Sequence, residues 1–267
     1  MKKLGSVGLL LGMLTLSGTM ACEDPPDPAK IHRVKGSDHL SKKEFKQAAA
    51  EYELSLQADP KQEKVWEKKA FAHMQVGETD RALESLNKLL EFKTDPVAKA
   101  EVYSSLASLH MTSGRAAEAE GFFNEVLKLN PKDETALGWL AEIYAQRGGA
   151  RSMAAPLVDE HLQKALGYYD QVIAINPNSA NTYLNKRVVM TKYMEHERVQ
   201  KDVADLEARE NVKKADKAAE AKARSEQHAA RYEEFKSKIM ELNQKFAEAQ
   251  KAAKAAAAAA PAPTPAK

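Results

Sequence analysis

Hydrophobic and polar positions fall into three patterns along the chain. Residues 4–18, LGSVGLLLGMLTLSG, are an apolar run behind the charged start Met1-Lys2-Lys3. The run is too short to span a bilayer comfortably as a mature helix. From about Lys30 to Arg209 a longer unit recurs. Each copy predicts a helix with a small residue at its middle, a turn, a second helix, and a closing Asn-Pro or Asp-Pro. From Glu195 to Lys254 there is neither Pro nor Gly, and polar residues dominate. Only the end of that stretch carries an apolar stripe, Phe235, Ile239, Leu242, Phe246 and Ala249, in alternating steps of four and three.

The repeated unit is defined by columns. Gly36, Ala70, Ala107 and Ala141 share one position of the first helix, and Ala48, Ala82, Ala119 and Ala165 share one of the second. Tyr52, Leu86, Phe123 and Tyr169 lie four residues further on, and Trp66, Tyr103 and Tyr183 are bulky near the start of the first helix. Helices that cross closely need small side chains at the crossing, because their axes approach to about 8–10 Å. Bulky residues then fill the space between neighbouring units. Gly77, Gly114 and Gly148 are expected to end first helices in a left-handed conformation. Pro60, Pro131 and Pro177 stop second helices.

These columns resemble the tetratricopeptide repeat, a helix–turn–helix unit of 34 residues. The resemblance implies an all-α fold: a right-handed superhelix of stacked hairpins followed by a long C-terminal helix. Units are placed at 30–62, 63–99, 100–133 and 134–179, with a degenerate fifth at 180–209. The second has about three extra residues in EFKTDPVAKA, expected in its second helix or exit loop. The fourth carries an insertion at 149–160, expected as a projecting loop. In the fifth, Val199, Val203 and Leu206 fit a second helix, but Arg187 replaces the small residue and no glycine marks the turn. Such a unit would serve as a terminal cap.

From Glu195 to Lys254, acid-first charge pairs four apart support a long helix, with 210–254 reaching past the solenoid: Glu197 with Lys201, Asp205 with Arg209, Glu210 with Lys214, Glu220 with Arg224, Glu234 with Lys238 and Glu241 with Lys245. Its middle, VKKADKAAEAKARSEQHAA, has too little apolar surface for tight packing. The coiled-coil-like part, 235–253, offers a docking face of Phe235, Ile239, Leu242 and Phe246. That face either folds back on the last unit or serves docking or self-association. The Ala/Pro tail, 255–267, is expected to be disordered.

At the other end, the charged start, the apolar run and the small residues before Cys22 predict a signal peptide over 1–21. Cys22 is the chain's only cysteine, so within its own chain an exported thiol would have no disulfide partner. Ala21-Cys22 resembles the lipobox of bacterial lipoproteins, although Thr19 stands where that family usually has Leu. The resemblance implies a covalent lipid on Cys22 and an anchor in the bacterial envelope. Glu23 after the Cys points to the outer membrane, facing the periplasm. Residues 22–29, with EDPPDP, form a stiff spacer.

The 267 residues carry a net charge of +2 with 29% charged residues, an interspersed balance that argues against a nucleic-acid binder. No nucleophile elbow, phosphate loop or HExxH motif is present. His39, His73 and His110 share one column, but successive units lie too far apart for the three to meet on one metal. They are expected to be flat packing residues. No cofactor, metal or catalytic residue is therefore expected, and a metal-dependent factor using the histidines is the weakest alternative.

The repeat resemblance instead implies a concave binding surface on the first helices. It consists of Lys64, Glu67, Phe71, Met74 and Gln75, then Glu101, Ser104, Ser108, Met111 and Thr112, then Thr135, Glu142 and Gln146. Phe71, Met74 and Met111 suit an adaptable peptide groove. The alternative is that the C-terminal helix covers it. One branch of the family grips a C-terminal carboxylate. The corresponding positions here, Arg33, Ser37, Lys68, Glu101 and Ser105, lack its asparagine and include an acid, so that ligand is not expected. The expected function is a non-enzymatic, membrane-anchored scaffold binding other envelope proteins. Proteins of that description serve gliding motility, type IV pili or secretin assembly. A structural spacer built on the long helix is the alternative.

Overall fold

A computed structural model describes residues 27–149 and 157–259. Cys22, the signal segment, the bulk of the 149–160 insertion and residues 260–267 lie outside the described residues. Ten helices run in chain order: α1 (Pro28–Ser41), α2 (Phe45–Ala58), α3 (Glu63–Gln75), α4 (Thr79–Phe92), α5 (Pro96–Thr112), α6 (Ala116–Leu129), α7 (Glu134–Arg147), α8 (Asp159–Ile175), α9 (Ala180–Glu210) and α10 (Ala215–Ala259). No strand occurs among the described residues. Each odd helix from α1 to α7 pairs with the even helix after it, and each pair packs on the next, so the units stack in chain order.

The small-residue columns lie at the helix crossings. Ala48, Ala82, Ala119 and Ala165 are fully buried, as are Ala107 and Ala141. The bulky column beneath them, Tyr52, Leu86, Phe123 and Tyr169, is buried as well. A Cβ on Gly36 would come within 2.6 Å of the Tyr52 ring, so the first crossing excludes even a methyl group. Aspartates open three of the first helices. Asp27, Asp95 and Asp133 accept backbone N–H bonds from Ala29, Ala98 and Ala136 at 3.0, 2.9 and 2.8 Å.

The turns inside the units share a geometry. Gly77 and Gly114 adopt φ of 73°, and Lys43 takes the same left-handed place in the first unit at 59°. The fourth unit departs from expectation. Gly148 has φ of −70°, and it is Gly149 that goes positive, at 143°. Gly148 is required for space instead, because a Cβ there would run into Leu162. The extra residues of the second unit lengthen neither its second helix nor its exit loop. They become the first turn of α5, which starts at Pro96 behind the Asp95 cap. Similarly, Asp159 and Glu160 of the insertion form the first turn of α8.

The C-terminal region differs most from the expectation of one long projecting helix. α9 runs for 31 residues without the turn a fifth unit would need. Val199, Val203 and Leu206 therefore belong to the same helix as Tyr183, and Val203 and Leu206 are exposed. The chain turns at residues 211–214, and α10 doubles back along α9 as an antiparallel partner. No helix among the described residues is long and apolar enough to cross a membrane.

Candidate functional site

The residues expected to form a concave surface lie on α3, α5 and α7. Phe71 and Met74 are 46% and 39% exposed. The Phe71 ring meets Phe45 edge-on at 6.1 Å. Lys64, Glu67, Gln75, Glu101, Thr112, Thr135 and Gln146 are also exposed, while Ser104, Ser108 and Glu142 are half-buried. Met111 is different. It packs on the core around Ala107 and Phe123, so it is a weaker contact candidate than Met74. α10 packs chiefly along α9 and leaves Phe71 and Met74 uncovered.

Three depressions lie along this face. The first, about 600 Å³, lies between α1 and α3 and includes Arg33, Ser37, Lys64 and Lys68. The second, about 610 Å³, includes Glu101, Ser104 and Asp133. The third, about 750 Å³, lies between α7 and α9. It brings Thr135, Glu142 and Gln146 together with Trp139, Tyr169, Asn181 and Asn185. Glu142 accepts from Gln146 at 2.9 Å and from the Tyr169 hydroxyl at 3.3 Å. Burial first, then the neighbouring Glu142 carboxylate, push the Tyr169 hydroxyl well above the ordinary tyrosine range, so it stays a donor. Trp139 is 38% exposed and stacks on Phe123 at 6.2 Å. Sequence reasoning missed Trp139, Asn181 and Asn185. Extending the column register into α9 would have found Asn181, whereas Trp139 and Asn185 share a position next to the expected columns.

The positions of the carboxylate grip are divided. Arg33, Ser37 and Lys68 line the first depression, and Glu101 lines the second. The histidine column is explained locally. His39 and His73 hydrogen-bond Glu44 and Glu78 at 2.6 and 2.8 Å, five residues on across the turn. His110 stacks on Phe122 at 5.3 Å. Among the described residues no three His, Cys, Asp or Glu side chains are grouped to hold a metal ion.

The proposed docking stripe is occupied within the chain. Phe235 stacks on Tyr193 at 5.1 Å with the rings 7° from parallel. Leu242 and Ala249 are buried against Tyr183, with Phe246 beside them, and Ile239 is half-buried.

Comparison with known proteins agrees with this architecture. The family model described as Tetratricopeptide repeat matches residues 100–133, the third unit. The Photosystem I assembly protein Ycf3 of Synechococcus elongatus is 30% identical over 157 residues, which cover 55% of this chain and 87% of that protein. The chain belongs to the tetratricopeptide-repeat family. Ycf3 of Cyanophora paradoxa is 30% identical over 125 residues, 42% of this chain and 70% of the relative. Among solved structures, that of MamA protein aligns with a TM-score of 0.51 at 20% identity, covering 83% of this chain and 95% of the other. It shares the fold. In this tetratricopeptide-repeat chain the depressions between first helices are the candidate binding sites, and α9 is the wall of the last one.

Proposed function

We propose that this tetratricopeptide-repeat chain is a non-enzymatic scaffold of the bacterial envelope, held to a membrane by lipid on Cys22 and assembling a multiprotein complex through its inner face. The observation that carries the reading is the open inner face itself. Phe71 and Met74 stand exposed on α3 although the chain has a 45-residue helix that could have covered them. An exposed aromatic beside a flexible thioether suits a partner segment of variable shape. The name of the Ycf3 relatives, which describes an assembly protein, supports an assembly role. The charged start, apolar run and Ala21-Cys22 junction support export and lipidation, and Glu23 supports the outer membrane facing the periplasm. Gliding motility, type IV pili and secretin assembly are the machines such a scaffold would serve.

The structural-spacer alternative loses its geometric ground, since α10 turns back beside α9. The test is affinity capture from envelope extracts. Phe71→Glu/Met74→Glu should lose a partner that the wild type captures, with folding unchanged by circular dichroism. The charge belongs at Met74 because Met111 packs against the core. Cys22→Ala should lose palmitate label and leave the membrane fraction. An unchanged partner set in the inner-face variant would refute the groove, and an unlabelled wild type would refute the anchor.

A further inference from the structure

One register of seven runs through both helices of the last hairpin. Glu197 and Ala204 of α9 and Ser225 of α10 are buried on the face the two helices share. Asn211, Ala218 and Tyr232 are half-buried in the same row. These six residues lie seven apart from 197 to 232, straight through the turn at 211–214. Tyr193, Ala221, His228 and Phe235 hold the second packing position of the same repeat. A turn leaves two helices free to differ in phase, and a hairpin gains nothing from their agreement. A straight helix needs it, because only then does the whole stripe stay on one face.

The turn itself is close to helix. The turns inside the first three units each hold a left-handed residue, Lys43, Gly77 or Gly114, and the turn at 211–214 holds none. Asn211 has φ of −96° and ψ of 18°, a ψ rotation of about 60° from helical values. The bonds from the Asn211 N–H to the Glu207 carbonyl and from the Ala218 N–H to the Lys214 carbonyl already have helical spacing. The bond from the Lys214 N–H to the Asn211 carbonyl, at 2.7 Å, belongs to the turn. No glycine or proline from Glu195 to Lys254 would stop a continuous helix. We infer that two copies of this chain exchange α10. The turn straightens, α9 and α10 become one helix, and each α10 packs on the α9 of the other copy. Glu197 with His228, Asp205 with Ser225 and Tyr193 with Phe235 are then remade between copies instead of within one. α10 leaves as a unit, because it packs chiefly along α9. Glu210 and Lys214 gain a helical pairing across the former turn. Each stack is capped by its partner, and the two stacks stand about 100 Å apart at the ends of an antiparallel helix pair.

The chain without its signal segment and with Cys22→Ser, refolded at high concentration, should form a dimer in sedimentation velocity. Its small-angle scattering should show a second maximum of interatomic distance at about 100 Å. Two single-cysteine chains, Asp205→Cys and Ser225→Cys, each also Cys22→Ser, are then refolded together and oxidised. Exchange sets position 205 of one copy against position 225 of the other, so a 205–225 cross-link between chains should appear in mass spectra of the digest. In closed hairpins each thiol faces its own chain, which offers no second thiol. Asn211→Ala/Val212→Ala favours helix over turn and should tighten the dimer about tenfold or more, and Lys213→Gly/Lys214→Gly should weaken it about tenfold or more. Circular dichroism of each variant separates loss of exchange from loss of folding. A wild type that stays monomeric at every concentration overturns the inference. So does a dimer without the 205–225 cross-link, or one indifferent to both changes in the turn, since the copies would then meet through another surface.

Discussion

His110 shows what a single side chain contributes when its column loses its partner. In each of the first three units a backbone N–H reaches back five residues across the turn: Glu44 to His39, Glu78 to His73 and Arg115 to His110, at 2.9, 3.0 and 2.9 Å. The same spacing lets Glu44 and Glu78 meet the His rings, and the bond from His73 holds the Glu78 carboxyl below its usual range. In the third unit the partner is Arg115. The Nδ1 of His110 is buried with no hydrogen bond, and burial, then the Arg115 charge, push its pKa below the ordinary histidine value. The unfolded chain therefore binds this proton more readily than the folded one. Stability is full above the ordinary value of about 6.5 and falls as the pH drops through it towards the lower folded pKa. Arg115→Glu should restore the bond, raise the His110 pKa and shrink the acid loss. Urea unfolding at about pH 7.5 and about pH 5.5, with His110 ring shifts followed by NMR, checks this. An acid loss as large as the wild type's would disprove the pairing. The ion pair given up, Arg115 with the 90% exposed Asp80, is worth little.

At the scale of elements, the unit hairpins were legible and the last hairpin was not, for one physical reason. Ala70, Ala107 and Ala141 recur beside glycine turns and closing prolines, so three independent signals fix the same boundaries. The turn at 211–214 has neither glycine nor proline, and the face that packs across it is small and polar. In α10 the steps of four and three continue upstream of Phe235 through Tyr232, His228, Ser225 and Ala221. An apolar count begins only at Phe235 and misses that half. Yet Ala204, Ala221 and Ser225 are buried, which lets the two backbones approach closely. Charges expected to pair along one helix pair across two. Glu197 is buried between His228 at 2.6 Å and Arg231 at 3.7 Å, and Arg224 reaches Glu207. Glu234 with Lys238 and Glu241 with Lys245 do pair along α10, at 2.5 and 2.6 Å. The concave positions are an expectation of the family's register, whereas Trp139 came to light only through the depression it lines. If small side chains hold the hairpin, Ala221→Leu should force it apart at a cost of about 1–3 kcal/mol. Amide exchange should then speed up from 196 to 230 and stay unchanged from 30 to 180. Uniform or absent change would show that the polar contacts, not the close approach, hold the pair.

For the whole molecule, a stack of hairpins always leaves an end uncovered, and the last unit needs a surface its neighbours do not supply. Here the chain supplies it by returning. α9 extends about 22 Å past Glu195 at 1.5 Å per residue, and α10 travels back along that length to lay Leu242, Phe246 and Ala249 over Tyr183 and Ile173. Phe235 closes over Tyr193 and joins the core that holds Ala141, Ala165 and Tyr169. The end of the solenoid is thus tied to the fourth unit through one continuous apolar layer. A chain ending at Glu210 should uncover Tyr183, Met190 and Tyr193 together. Each apolar side chain lost from that layer is worth about 1.5–3 kcal/mol when fully buried, so the thermal midpoint should fall. The shortened chain should also self-associate with rising concentration in sedimentation velocity. Leu242→Glu/Phe246→Glu in the full chain should reproduce both effects, because it lifts the same layer without shortening the molecule. A truncated chain that stays monomeric at the wild-type midpoint would mean that the stack ends at α8 and that α10 merely accompanies α9.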